Sequence, residues 1–178
     1  MNLSKEKIIE NYKKVSEYLE PKGIEVLYLS GSDYYLSEYT AKEDSLRNYI
    51  TPFRGSTSEV LIIPNNKVVL FVDGRYHLQA EIECSGYDYI EIIKVGTLNS
   101  ISTEALNYIK NFNYNTTACI AERTSFSFSE KLREISESFL SISSNDIEEI
   151  ISYSYKISDS AVYFISENIL PSEFESKF

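Results

Sequence analysis

Residues 47–83, RNYITPFRGSTSEVLIIPNNKVVLFVDGRYHLQAEIE, decide the fold of this chain. Two apolar runs rich in β-branched residues, 60–63 and 68–72, flank Pro64-Asn65-Asn66-Lys67. Runs of this length, separated by a polar turn, predict a hairpin with at least one strand buried on both faces. Asn65 and Asn66 tolerate left-handed geometry, which suits a short connection. Asp73-Gly74 ends the second strand. Asp73 is placed to cap a helix expected over 75–83, and Gly74 to allow a sharp change of direction. Upstream, Arg54-Gly55-Ser56 loosens the backbone ahead of the first strand.

Outward from the hairpin, helical and strand patterns alternate. Residues 4–20 carry Ile8, Tyr12, Val15 and Leu19 at helical spacing among lysines and glutamates, with Ser4 as the expected cap. Pro21-Lys22-Gly23 stops that helix, and 24–29 reads as a strand whose exit, Ser30-Gly31-Ser32-Asp33, lies where parallel-sheet proteins keep functional loops. Residues 33–52 read as a partly helical connection. Beyond the hairpin, strands are expected at 89–95, 118–121 and 139–142, with helices at 103–112 and 127–138. This alternation predicts an α/β domain with a mixed central β-sheet covered by helices, rather than a helical bundle. Residues 1–150 are read as that domain. Residues 151–178 are read as a tail or the start of a linker toward a second domain, with a possible short strand at 161–165.

Composition narrows the function classes. With 178 residues and 43% hydrophobic content the chain can bury a sizeable core. A formal charge of −10 argues against non-specific binding to nucleic acid or to an anionic membrane surface. The two cysteines, Cys84 and Cys119, stand far apart outside any CxxC spacing and are read as isolated thiols. Charged residues interrupt the amino-terminal apolar positions, and no run is long enough to span a bilayer, so the expected location is cytoplasmic.

Few residues offer chemistry. His77 is the only histidine, and with Asp73 and Glu81 it forms a weak i, i+4 ligand set on a helix. The pairs Glu43-Asp44 and Glu148-Glu149 read as solvated faces or helix ends. Arg47, Arg54 and Arg75 bracket the hairpin, and each either makes internal salt bridges or orients a carboxylate or phosphate. No P-loop, dinucleotide turn or GxSxG elbow is present in the sequence.

Arg54-Gly55-Ser56 and Asp73-Gly74-Arg75-Tyr76-His77-Leu78-Gln79-Ala80 together resemble the amino-terminal domain of the Xaa-Pro aminopeptidases, in the wider creatinase, prolidase and aminopeptidase P group. Asp33, Ser37-Glu38-Tyr39 and Phe53-Arg54-Gly55-Ser56 resemble the three-domain branch. Asn145-Asp146-Ile147 and Pro171 fall where members leave this domain for the next. The resemblance implies a parent enzyme that hydrolyses the bond between an amino-terminal residue and proline. It implies two divalent metals, commonly manganese, held by a later domain that is not expected within this sequence, so neither a catalytic residue nor a metal ligand is assigned here. It further implies that the amino domain contributes to assembly and to access to the catalytic cleft, in a homodimer acting on short proline-containing peptides. Phe53 and Arg54 are the expected substrate-proximal or interface residues. Gly55, Ser56, Asp73, Gly74 and Arg75 are the expected structural motif. The competing reading is a stand-alone binding or adaptor module that uses an acidic, tyrosine-rich surface.

Overall fold

A computed structural model describes residues 3–37, 39–41 and 44–153. The expected strand at 161–165, Pro171, Glu38 and the rest of the tail lie outside the described residues. Six strands form one sheet in the order β4-β3-β2-β1-β5-β6. They are β1 (Val26–Ser30), β2 (Glu59–Ile63), β3 (Lys67–Val72), β4 (Ile90–Lys94), β5 (Thr116–Ile120) and β6 (Ser138–Ile142). The hairpin is there: β2 and β3 pair antiparallel with Val60 opposite Leu70 and Ile63 opposite Lys67. Its turn uses Asn65 at φ 54°, the left-handed conformation asparagine tolerates. β2 also runs antiparallel to β1, whereas β1–β5, β3–β4 and β5–β6 are parallel. The sheet is therefore mixed, as the alternating pattern implies.

Strand periodicity then divides the core in two. Leu27, Leu29, Val60, Ile62, Val68 and Leu70 point to one face. There they meet α1 (Lys5–Leu19), α2 (Arg47–Ile50), α3 (His77–Glu83) and α6 (Ser144–Ile150), through residues such as Val15, Ile50, Ala80 and Ile147. Val26, Tyr28, Leu61, Val69 and Phe71 point the other way, toward Ala105 and Ile109 of α4 (Ile101–Asn111) and Leu132 of α5 (Phe126–Ile135). Both hairpin strands are buried on both faces, which explains their unbroken apolar runs. Ser4 caps α1 by accepting the Lys7 N–H at 3.2 Å, and Gly23 closes the following turn at φ 67°.

One local expectation is overturned. α3 begins at His77, its cap position is Tyr76, and no side chain caps it. Asp73 lies too far upstream for that role. Its Oδ1 accepts the Arg75 N–H at 2.9 Å, an Asx turn between strand and helix. Gly74 has no left-handed φ, and a Cβ there would meet nothing within 4 Å, so no sterics demand glycine.

Candidate functional site

The loop before β2 and the turn after β3 meet beside α3. Arg47 is buried beneath them. Its guanidinium donates to Ser58 Oγ and to the Gly55 carbonyl at 2.7 Å, and lies 5.3 Å from the centre of the Phe53 ring. Burial, with the neighbouring Arg54 charge, lowers its pKa to about 10, so it remains a cation at neutral pH. Phe53 is fully buried and packs edge-on against Tyr76 with ring centres 5.7 Å apart. The ring therefore offers no surface to a peptide or a neighbouring subunit, which corrects its placement as a substrate-proximal residue: the aromatic two positions before Gly55 is a core residue.

Gly55 is fixed by close approach. A Cβ there would collide with the Phe53 ring and come within 2.8 Å of Tyr76 Cδ1. Ser56 Oγ shares a 2.6 Å hydrogen bond with the Tyr76 hydroxyl, tying the loop to the turn. Arg54 is half-buried. Its backbone N–H donates to Glu83 at 2.7 Å and its guanidinium to the Asn48 carbonyl at 3.0 Å. Arg75 is exposed, pairs with Asp73 at 2.7 Å and reaches Thr57 Oγ1 at 3.3 Å. The hydrogen bonds from Arg75 hold the Asp73 carboxyl below the ordinary Asp range. Of the residues expected to carry function, only Arg54 keeps partial exposure without belonging to the motif that holds the turn.

The paper ligand set does not assemble. Asp73 is engaged by Arg75, His77 Nε2 lies 3.2 Å from the Val95 carbonyl, and Glu81 accepts from Lys94 at 2.5 Å. Among the described residues, no group of three His, Cys, Asp or Glu side chains is disposed to hold a metal ion. The described residues do not fit a di-nuclear centre. Cys84 and Cys119 are free and buried, and burial pushes the Cys84 thiol up to about 12, which makes it a poor nucleophile.

The sequence reading missed a second cluster centred on Arg123, which is fully buried. Its Nε–H donates to Ser144 Oγ at 2.9 Å, and Nη1 to the carbonyls of Asp44 at 2.7 Å and Ser32 at 3.5 Å. Nη2 donates to Asp44 Oδ1 at 2.9 Å and Glu148 Oε1 at 3.0 Å. Tyr34 stacks 4.3 Å from the guanidinium and donates to Glu148, while Tyr153 donates to Asp44. Asp44 and Glu148, read as parts of solvated faces or helix ends, are the counter-charges of this arginine, Asp44 buried and Glu148 half-buried near the end of α6. Arg123 ends the short turn after β5, and no local pattern in the sequence marks it.

The family model described as the creatinase/prolidase N-terminal domain matches residues 12–151. Aminopeptidase P1 of Lotus japonicus is 30% identical over 118 residues, which cover 63% of this chain and 18% of that protein. A probable Xaa-Pro aminopeptidase P of Laccaria bicolor is 38% identical over 72 residues, covering 40% of this chain and 11% of that one. The chain thus matches less than a fifth of the length of these curated relatives. Among solved structures, the X-prolyl aminopeptidase of Caenorhabditis elegans, described as a cytosolic enzyme with a di-nuclear active site, superposes with a TM-score of 0.69 at 18% identity, over 86% of this chain and 26% of that one. The N-terminal domain of the peptidase PepQ from Mycobacterium tuberculosis superposes with a TM-score of 0.60 at 16% identity, over 79% of this chain and 97% of that domain. These two likenesses establish a shared fold. The family match spans most of the chain, including the hairpin and the turn after it, and the chain belongs to the creatinase/prolidase N-terminal domain family.

Proposed function

We propose that the chain is the non-catalytic amino-terminal domain of a metal-dependent Xaa-Pro aminopeptidase. In this reading the parent enzyme hydrolyses the peptide bond between an amino-terminal residue and proline, using two divalent metals, manganese by preference, in another domain of the same polypeptide. The domain contributes to assembly of a cytoplasmic homodimer and narrows access to the catalytic cleft. The observation that carries the reading is the family match over residues 12–151, joined to relatives named as aminopeptidases P of which this chain corresponds to a small part. Two surface features support the assembly role. Leu78 and Ile82, one turn apart on α3, are 68% and 66% exposed beside the Asp73–Arg75 turn. Arg54 lies on the adjoining loop, partly exposed, and is the residue through which a peptide carboxylate or a neighbouring subunit is met.

The test uses a purified Xaa-Pro tripeptide and excess manganese. The 178-residue chain alone should give no turnover, and metal-dependent cleavage that survives repurification would overturn the non-catalytic assignment. The polypeptide from the whole reading frame should cleave the same peptide, and failure to do so across divalent metals would overturn the parent activity. In that enzyme Arg54→Ala should change KM or the dimer's dissociation while leaving the melting temperature of the domain nearly unchanged.

A further inference from the structure

Two adjoining hollows open above the carboxyl ends of β1 and β5, with volumes of about 390 and 190 Å³, and share Ser30, Ser32, Glu59 and Ser102 as walls. This is the end of the sheet where open α/β folds bind ligands. Hydroxyl groups dominate the lining, and among the described residues neither hollow is lined by a lysine, arginine or histidine. Two polar atoms here lack a partner among the described residues. Glu59 Oε2 is buried without a hydrogen bond, as is Oγ1 of Thr124, a residue only 8% exposed. Buried polar atoms are normally satisfied, and these two orphans belong to residues that line the same smaller hollow, where a bound group could supply the missing partner.

Charge selects the ligand. Among the described residues, Glu59 is the only carboxyl in the lining and no cation of the lining balances it. An anion would sit against that carboxylate unopposed, and an apolar group would leave both orphans unmet. The space exceeds what one ion or one water fills, at about 30 Å³ per water, so the occupant has several heavy atoms. We propose that this cavity binds a small organic primary ammonium, whose N–H groups are received by the Glu59 carboxylate and the hydroxyls of Thr124, Ser30 and Ser102. The proposal rests on the cavity alone and is independent of the peptidase reading.

Burial pushes the Glu59 carboxyl up to about 7, with the Tyr28 hydroxyl the one neighbour favouring its charged form. Tyr28 on β1 and Cys119 behind it on β5 are the other titratable groups at this position, and both are raised by burial and neutral near pH 7. α4 contributes Ile101 and Ser102, and α5 contributes Phe128 with Ser125 just ahead of it, none of them titratable. An arriving cation therefore meets a group whose ionisation it favours, and its binding should strengthen as pH rises through about 7.

The experiment titrates the 178-residue chain with butylammonium chloride, and with 1-butanol as the neutral match of the same size, followed by calorimetry. Butylammonium should bind saturably near pH 8, about tenfold more weakly near pH 6, and at least about tenfold more weakly to Glu59→Gln. Butanol should not saturate. Equal binding of the two probes, equal binding to Glu59→Gln, or no saturable binding near pH 8 would each overturn the proposal. Should Glu59→Gln fail to fold, the carbon-13 shift of the Glu59 carboxyl in the unaltered chain decides. Its titration midpoint falls when butylammonium is added if the proposal holds, and stays fixed if the cavity holds only water.

Discussion

Replacing Arg123 with alanine is the most informative single change, because every N–H of its guanidinium has an acceptor. The substitution leaves the Asp44 and Glu148 carboxylates, whose side chains are 13% and 16% exposed, without a counter-charge. It also removes donors from two backbone carbonyls. Breaking a buried ion pair by deleting one partner costs about 3–5 kcal/mol, so urea denaturation should show a loss in that range at neutral pH. The melting temperature should fall by about 6–20 °C, at roughly 2–4 °C per kcal/mol for a domain of this size. The pH dependence has a definite sign. Burial raises the Glu148 carboxyl, but hydrogen bonds from Ser144 and Tyr34, together with Arg123, outweigh it and hold the group below the ordinary 4.5. A depressed folded-state pKa contributes stability that is present above 4.5 and is lost as pH falls through the lowered value. The gap between wild type and Arg123→Ala should therefore narrow in acid as the carboxylates protonate. The triple variant Arg123→Met, Asp44→Asn, Glu148→Gln, which removes both stranded charges, should recover at least half of the loss. A cost below about 1 kcal/mol, typical of an exposed pair, or a gap that widens in acid, would refute the account of a buried, mutually dependent cluster.

Gly55→Ala drives a Cβ into the Phe53 ring and to within 2.8 Å of Tyr76 Cδ1, both held by surrounding packing; it should cost about 1–3 kcal/mol, read from the urea midpoint. Asp73→Ala removes an Asx turn and a solvent-facing pair rather than a helix cap, so its cost should stay below about 1 kcal/mol, and α3 should keep its amide-exchange protection. Glu59 carries the opposite pH sign from Glu148. Burial raises its folded-state pKa from 4.5 to about 7, so the domain loses stability as pH climbs between those values. Glu59→Gln should flatten that decline, which is on the order of 3 kcal/mol, and an unchanged stability–pH profile would refute the assignment.

The sheet and its helices were legible because their signals are local. Unbroken apolar runs, Pro64-Asn65-Asn66 between them, Ser4 ahead of α1 and Gly23 after it act within a few residues of where they are read. Where two local rules compete, the sequence alone does not rank them. Asp73 satisfies the requirements of a cap and of an Asx turn, and the turn wins because the Arg75 side chain adds an ion pair to the same carboxylate. Phe53 shows a different failure. Its neighbours Pro52, Arg54 and Gly55 are loop residues, yet the ring is core, because the loop folds back over it and Arg47 closes the other side. The signal lay in Gly55, whose missing side chain makes room for that ring.

Three of the arginines share a physical role that their sequence neighbours do not announce. Among its described residues, the segment between β1 and β2 contains only the short helix α2, so many of its carbonyls have no ladder or helical donor. Arginine side chains stand in for that missing regular structure. Arg47 donates to Gly55, Arg54 to Asn48, and Arg123, from beyond β5, to Asp44 and Ser32. A guanidinium suits this work because its planar fork reaches several acceptors at once, which a lysine ammonium on a flexible stem does with less fixed geometry. Arg47, which looks like a ligand-binding cation in the sequence, is thereby consumed in folding the irregular segment, whereas Arg54 spends an N–H on it and keeps partial exposure. Arg123 cannot be assigned this way from sequence, because its acceptor on Asp44 lies 79 residues away and its partner Glu148 lies 25 away on another helix. Glu59 is left as the reverse case. It is a carboxyl at the start of a strand, in a chain of net charge −10, and no arginine is spent on it. Where Asp44 and Glu148 each receive a guanidinium, Glu59 receives none, and that omission sets the hydroxyl-lined cavity apart from the Arg123 cluster.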